Sequence, residues 1–285
     1  LLDTRPGGRK WKRRFMFDRR WLLQEDIREV VGKAWGEEQR GSRLYKVKCK
    51  IKRVRLDLLS WSKGSQRNSK TLVEQLKREI KEVKEIKPSG YRIKLAGLKR
   101  RLTEAYKREE LFWSQKARVK WLKEGDRNTS FFHAVVAGRR KQNRISVLQK
   151  SSGEWCENVE ESSKEIIDYF QEIFTTGNPV DFVEILQGVP QTITLDMNRR
   201  LTRPVTEQEI RQAVFSMQPN KSPGPDGMPP YFFQKFWQTV KSDIVNAVQS
   251  FFHSGHLLKS INETLISLIP KTESPISITE YRPIS

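Results

Sequence analysis

Cysteine, histidine and long apolar runs are scarce in this chain of 285 residues, and each scarcity excludes a class of protein. The two cysteines, Cys49 and Cys156, can build neither a disulfide framework nor a four-cysteine zinc site. Among the three histidines, His253 and His256 lack a cysteine or carboxylate at ligand spacing, which argues against a metal role. No run approaches the ~18 apolar residues of a membrane span, and the N-terminus lacks a signal-peptide core. The sequence therefore predicts an intracellular protein, nuclear and cytoplasmic, that is not secreted.

Positive charge is scarce in the second half of the chain and abundant in the first. Residues 1–150 hold 43 Lys and Arg against 17 Asp and Glu, whereas residues 151–285 hold 11 against 17. Such an excess is typical of a protein that follows a phosphate backbone, although solvated basic helix faces are the alternative. Nucleic acid is thus the predicted partner. An anionic membrane surface fits less well, because the basic stretches lack a consistently apolar opposite face.

Apolar periodicity predicts helices over most of residues 27–124. One stripe at helical spacing comprises Leu72, Leu76, Ile80 and Val83. A Pro-Ser-Gly stop at 88–90 separates it from a second stripe between Leu95 and Phe112. This pattern predicts an αα-hairpin or short coiled coil with basic exposed faces, whose role is either structural or that of a protein-interaction surface at 66–124.

A capped helix starting near Ser130 is the next predicted element. Gly125 is suited to ending the preceding helix, and Asp126 and Asn128 offer side-chain caps for the new one. A group of cations lies at the C-terminal end of this helix: Arg139, Arg140, Lys141 and Arg144. We interpret this group as a nucleic-acid contact.

Shorter signals predict the remaining elements. A hairpin turns at 151–153, an acidic helix follows at 159–174, and a capping box at 206–209 starts another helix. Near the end of the chain, a strand at 265–269 and a second strand entered at Tyr281 form a hairpin. The fold class is therefore predicted to be mainly α with small β-hairpins.

The segment "RKWKRRFMFDRRWL", residues 9–22, alternates cations with the aromatic residues Trp11, Phe15, Phe17 and Trp21. This mixture suits base stacking combined with phosphate contact. It equally suits a basic linker whose aromatic side chains anchor it to a neighbouring domain. Both interpretations stay open, and "RKWKRR" is also compatible with a nuclear import signal.

The loop "KSPGPDG", residues 221–227, is stiff because proline fixes φ and leaves little freedom to lose on folding. Glycine leaves room for a phosphate backbone, so Lys221 and the amides of Gly224 and Gly227 are candidate template contacts. An ordinary helix-to-helix connection is the alternative, and the loop alone favours it. Asp226, with no second carboxylate nearby, is interpreted as a turn residue rather than a catalytic group.

The terminal hairpin places Lys271 near one strand and Arg282 near the other. Two cations so placed could meet a triphosphate or a template, and structural salt bridges are the alternative. The chain begins without methionine and stops inside a predicted strand, so we expect it to be a fragment.

Several motifs together resemble the polyprotein of plant LINE-type non-LTR retrotransposons, in the region joining the endonuclease to the reverse transcriptase. They are "WLKEGDRNTSFFH", "RRKQNRISVL", "KSPGPDGMPPYFFQKFW", "FFHSGHL", "INETLISLIPK" and "YRPIS". The resemblance divides the chain into four parts. These are the last strand of an absent endonuclease domain (1–8), a basic helical linker (9–150), a hairpin, acidic helix and loop (151–204), and the incomplete fingers of a reverse transcriptase (205–285).

The resemblance implies RNA-directed DNA polymerase chemistry in the full-length protein, with Mg²⁺ as cofactor and RNA template and DNA as partners. It implies that the loop at 221–227 contacts template, and that Lys271 and Arg282 approach the incoming nucleotide and the template. The endonuclease, palm and thumb would lie outside this chain. Because no Asp-Asp pair occurs in the sequence, this chain alone is expected to lack polymerase activity and to hold no cofactor.

Overall fold

Helices dominate the computed structural model, and a single two-stranded antiparallel sheet occurs among the residues that it describes. Those residues are 14–64, 69–118, 129–178, 182–190 and 192–285. The predicted fold class, mainly α with small β-hairpins, is confirmed. The predicted strand at 1–8, Trp11 and the caps Gly125, Asp126 and Asn128 lie outside the described residues.

The elements follow one another along the chain in this order. The helices are α1 (Ile27–Gly36), α2 (Arg43–Trp61), α3 (Ser69–Ile86), α4 (Tyr91–Ala117), α5 (Thr129–Gln142), α6 (Val159–Phe174), α7 (Val183–Gln187), α8 (Leu195–Thr202), α9 (Glu207–Ser216), α10 (Pro230–Lys235), α11 (Trp237–Ser254) and α12 (Lys259–Asn262). The strands are β1 (Ser267–Pro270) and β2 (Tyr281–Ile284), and short 3-10 helices occupy Arg19–Leu23, Ser62–Gly64 and Ile278–Glu280. No helix of the described chain is both long and apolar enough to cross a membrane.

The described chain forms two compact units, each assembled from separate stretches. The larger unit comprises 14–138 and 206–263, and the smaller unit comprises 139–205 and 264–285. The linear domain boundaries predicted from the sequence remain predictions.

In the larger unit, Asp243 on α11 links three helices. Its Oδ2 accepts hydrogen bonds from Trp35 Nε1 on α1 and from Lys50 Nζ on α2, each 2.8 Å long. A half-buried carboxylate needs such donors, because leaving it unpaired would cost its desolvation energy. Buried Val54 and Val240 add apolar packing between α2 and α11.

The predicted αα-hairpin is confirmed by α3 and α4, which pack their apolar stripes against each other. The buried members of this seam are Val73, Leu76, Val83, Leu98 and Ala105. Gly90, at φ 71°, stands at the N-cap of α4, where a left-handed backbone favours glycine. The apolar stripe of each helix is thus buried against the other helix of the same chain.

The helix predicted from the capping box is also confirmed. The Thr206 hydroxyl accepts from the Glu209 N–H, and the Glu209 carboxylate accepts from the Thr206 N–H at the start of α9. The aromatic residues after the Pro-Gly loop are core residues, since Phe232, Phe236 and Trp237 are each at most 4% exposed. They anchor α10 and the start of α11.

The smaller unit is built on a compact apolar core. Its buried members are Ile145, Leu148, Phe170, Ile278 and Tyr281. The predicted hairpin around 151–153 is present, with a bridge between Gln149 and Trp155. The Gln149 N–H also donates to the Ile276 carbonyl at 2.7 Å, which ties this hairpin to the chain preceding β2. The acidic helix predicted at 159–174 is α6.

A run of apolar side chains between α6 and α9 stays exposed in the smaller unit. Its members are each between 46% and 79% exposed: Phe182, Val183, Ile185, Leu186, Val189, Ile193, Leu195, Met197 and Leu201. Short α7 and α8 lie within this run. The smaller unit therefore covers its apolar surface less completely than the larger unit does.

Candidate nucleic-acid interface

The Pro-Gly loop of the larger unit closes on itself through its own backbone. The Gly227 N–H donates to the Gly224 carbonyl at 3.1 Å, and Asp226 Oδ1 accepts from the Met228 N–H at 3.0 Å. The second bond is an Asx turn, which is the role that the sequence predicts for Asp226. The loop therefore has the geometry of a preformed turn.

The environment of Asp226 shifts its protonation. Burial raises the pKa of the Asp226 carboxyl above its usual value, whereas hydrogen bonds from backbone amides and the Arg55 guanidinium offset part of that rise. Asp226 has no second carboxylate in the neighbouring sequence with which it could form a carboxylate pair for acid-base or metal chemistry. Its raised pKa is the consequence of a structural turn placed against a protein surface.

That surface is the aromatic segment near the N-terminus. The Phe17 N–H donates to the Gly227 carbonyl at 3.0 Å, and a Cβ on Gly227 would clash with the Phe15 carbonyl oxygen. The fully buried Phe17 ring contacts Trp21 and Phe232 at centroid distances of 5.4 and 5.5 Å. Of the two interpretations of this segment, the geometry favours the anchor, because these rings are packed inside the larger unit.

One predicted contact at the loop needs correction. Gly227 is buried, and its amide is already used by the Gly224 carbonyl, so it is not an outward-facing donor for phosphate. Lys221 and Gly224, by contrast, are exposed. These two residues remain the candidate contacts that the loop presents to a ligand.

Gln115 on α4 holds the aromatic segment in place, and sequence reasoning missed it. Its Nε2 donates to the Phe17 carbonyl at 2.7 Å, and its Oε1 accepts from the Arg19 N–H at 3.1 Å. The side chain is 8% exposed, so both bonds are shielded from water. A single glutamine in a polar helix gives no local signal of a partner 98 residues away.

The predicted cation group lies at the C-terminal end of α5. Arg139, Arg140 and Lys141 form its last turn, Arg144 follows two residues after the helix ends, and all four are exposed. Cations at this end also complement the helix dipole, which is the structural alternative to binding an anion. The group belongs to the smaller unit.

The predicted terminal hairpin is present, with Ile269 on β1 paired with Arg282 on β2. Lys271 and Arg282 have the same parity as the exposed side chains of the strands, so both extend from the outer face. Lys271 Nζ also donates to the Thr279 carbonyl at 2.7 Å, which gives this cation a structural partner in the turn. Arg282 is exposed on the second strand.

The structure brings the α5 end and the hairpin to one core. Arg144 directly precedes the buried Ile145, and Arg282 directly follows the buried Tyr281, and both buried residues belong to the apolar core of the smaller unit. Two cation-bearing segments far apart in the sequence therefore adjoin the same apolar core.

Magnesium, which the resemblance implies for the full-length polymerase, requires several carboxylates around it. The sequence contains no Asp-Asp pair, and the described residues include no group of three or more His, Cys, Asp or Glu side chains able to hold a metal ion. The described residues therefore do not fit such a site.

Comparison with known proteins gives one informative relative. No protein-family profile matches the sequence. Over 172 residues, or 60% of the chain, the sequence is 30% identical to the transposon TX1 uncharacterized 149 kDa protein of Xenopus laevis, of which the match spans 13%. The chain is therefore similar to part of a transposon protein, whereas its plant origin and its predicted domain boundaries remain predictions.

Proposed function

We propose that this chain is the nucleic-acid-binding segment of a non-LTR retrotransposon polyprotein that leads into, and begins, its reverse transcriptase. The similarity to a transposon protein, the ordered motifs and the surplus of cations in residues 1–150 support this proposal. The chain would bind template RNA or DNA without performing the polymerase chemistry, because the aspartates of a two-metal site are missing from its sequence.

The attachment of two exposed cationic segments to one core carries the proposal. Arg140, Lys141 and Arg144 at the end of α5, and Arg282 on β2, belong to the same compact unit. Cations fixed on a folded base lose little conformational freedom when they meet successive phosphates. Such a surface binds with little sequence preference and with strong dependence on salt.

The test is fluorescence anisotropy with a labelled single-stranded RNA and a labelled DNA duplex, titrated across a range of salt concentrations. We expect the wild-type affinity to fall linearly with salt on a logarithmic plot. The triple variant Arg139→Ala, Arg140→Ala and Lys141→Ala should weaken binding by about tenfold or more and reduce the slope by about 2 for RNA.

A matched control removes the same charge elsewhere. Lys84→Ala, Lys99→Ala and Arg100→Ala change three exposed cations on α3 and α4 and should weaken binding far less. An equal loss in both triple variants would contradict the assignment to α5. A wild-type chain that binds neither nucleic acid at low salt would overturn the proposed function.

The rival function is a coiled-coil or protein-interaction segment at 66–124. The packing between α3 and α4 argues against this function, because apolar residues such as Leu76 and Leu98 are already buried within the chain and are not available to a partner helix. Under the rival, the α5 triple variant would leave partner binding unchanged and nucleic-acid binding would be absent from the wild type.

A further inference from the structure

A small cavity in the larger unit is lined by cations from three distant parts of the sequence. Arg19, Arg118 and Lys221 all contribute to its wall, together with polar groups of Gln115, Asn220 and Tyr231. None of the described residues that line it is an Asp or Glu. An anion with several acceptor oxygens can accept charge-assisted hydrogen bonds from cationic side chains that line one opening.

Each of these cations is fixed through its backbone or its ring contacts. The Arg19 guanidinium lies 4.9 Å from the centroid of the Tyr231 ring, and the Arg19 amide is held by Gln115. Arg118 terminates α4 in a left-handed conformation, where its N–H donates to the Ser114 carbonyl at 3.0 Å. The Lys221 N–H donates to the Gln218 carbonyl at 3.1 Å, so the backbones of all three cations are held by hydrogen bonds.

The Pro-Gly loop leaves one side of this cavity open. Lys221 and Gly224 are exposed, and the nearest atom to a Cβ on Gly224 would be Asp226 Oδ1 at 3.8 Å. A ligand backbone can thus approach the loop closely. The cavity itself has a volume of only ≈ 10 Å³, about enough for one water molecule, so a phosphate would bind at its mouth rather than inside it.

We propose that the mouth of this cavity binds one phosphate of a nucleic-acid backbone, with Arg19, Arg118 and Lys221 as its cationic ligands. A site at the mouth of the cavity suits a phosphodiester group, because the nucleic-acid strand must continue on both sides of it. A free nucleotide would be better suited by an enclosed cavity. This inference rests on the proposed function and adds a specific contact, in the larger unit, to the surface proposed on the smaller one.

Charge-neutral variants of similar length test the site: Arg19→Gln, Arg118→Gln and Lys221→Gln, singly and combined. The probe is a short labelled single-stranded RNA in the anisotropy assay. Each single variant should lower the affinity by about threefold to tenfold, and the triple variant should reduce the salt slope by about 0.7, the value for one phosphate.

The matched control is Arg100→Gln. It removes one exposed cation from the same helix as Arg118, about 27 Å away at 1.5 Å per residue, and should change the affinity less than twofold. Circular dichroism and urea unfolding confirm that each variant is folded. An effect of Arg100→Gln equal to the effects of the three cavity variants would overturn the site, because the binding would then be diffuse.

Two further outcomes separate the inference from the function on which it rests. A wild-type chain that binds RNA while the three cavity variants bind it equally well overturns only this inference, whereas no wild-type binding overturns both. Inorganic phosphate alone provides the last arm. If it raises the melting temperature of the wild type but not of the triple variant, and RNA affinity is unaffected, the site holds a free anion and the proposed backbone contact is wrong.

Discussion

The two compact units use similar turns in opposite surroundings. In the larger unit, the Pro-Gly loop is covered by the segment around Phe17, which buries Gly227 and donates a hydrogen bond from the Phe17 N–H to the Gly227 carbonyl. In the smaller unit, the turn at 151–153 is exposed, and a Cβ on Gly153 would have no atom within 4 Å. The Pro-Gly loop thus bonds to a segment about 210 residues away, whereas Ser151 in the turn of the smaller unit bonds to Glu165, only 14 residues away.

The largest expected effect comes from removing the ring that covers the loop. Phe17→Ala should lower the free energy of unfolding of the larger unit by about 3–5 kcal/mol, because Phe17 is fully buried among aromatic rings. The matched change in the smaller unit, Phe174→Ala, removes a ring that is 59% exposed and should cost less than about 1 kcal/mol. Urea unfolding followed by tryptophan fluorescence measures both. Equal losses would remove the contrast between the units.

Substituting alanine for one glycine in each turn tests how tightly the two turns are surrounded. Gly227→Ala must accommodate a positive φ of 76° and a clash with the Phe15 carbonyl, so we expect a loss of about 2–4 kcal/mol. Gly153→Ala has a φ of 88° without neighbours and should cost about 1–2 kcal/mol. The midpoints of urea unfolding provide the test. A larger loss at Gly153 than at Gly227 would show that the aromatic segment does not cover the loop in solution.

The smallest effect concerns two carboxyls whose pKa values shift in opposite directions. Burial raises the pKa of Asp226, so its contribution to stability is lost as pH rises from about 3.9 through that raised pKa. Hydrogen bonds from the backbone amides of Ser277 and Ile276 lower the pKa of Glu280, so its contribution is lost as pH falls from about 4.3 through the lowered value. Asp226→Asn should flatten the first dependence and Glu280→Gln the second.

Urea unfolding of both variants between acidic and neutral pH measures these slopes. Each variant serves as the control for the other, because both remove a single carboxyl charge. If Asp226→Asn steepened the decline of stability with rising pH, the Asp226 carboxyl would be stabilised as an anion and its environment would be misassigned.

Local signals made much of the fold predictable. The period of Leu72, Leu76 and Val83 specifies a helix with one apolar side, and the Thr206 and Glu209 pair specifies where a helix begins. Each of these signals is contained within about three turns of chain. The hairpins were predictable for the same reason, since alternation and turn residues are neighbours in the sequence.

The arrangement of the candidate sites was not predictable in the same way. From the sequence alone, Phe15 and Phe17 suit base stacking and core packing equally well. The contact of this segment with Gly227 distinguishes the two interpretations. Gln115 and Arg118 carry no pattern that points to Arg19, because the contacts join segments about 100 residues apart. The cations at 139–144 were identifiable from the sequence. That they adjoin the same core as the terminal hairpin is visible only in the structure, where Ile145 and Tyr281 belong to one cluster.

The bond between Phe17 and Gly227 also has a consequence for synthesis on the ribosome. The Phe17 segment emerges about 210 residues before its partner, and at 5–20 residues per second the delay is roughly 10–40 s. During that time its aromatic rings have no loop to cover, so the nascent chain presents an apolar, cationic segment to chaperones and to nearby RNA. The larger unit can close only when translation has passed the Pro-Gly loop.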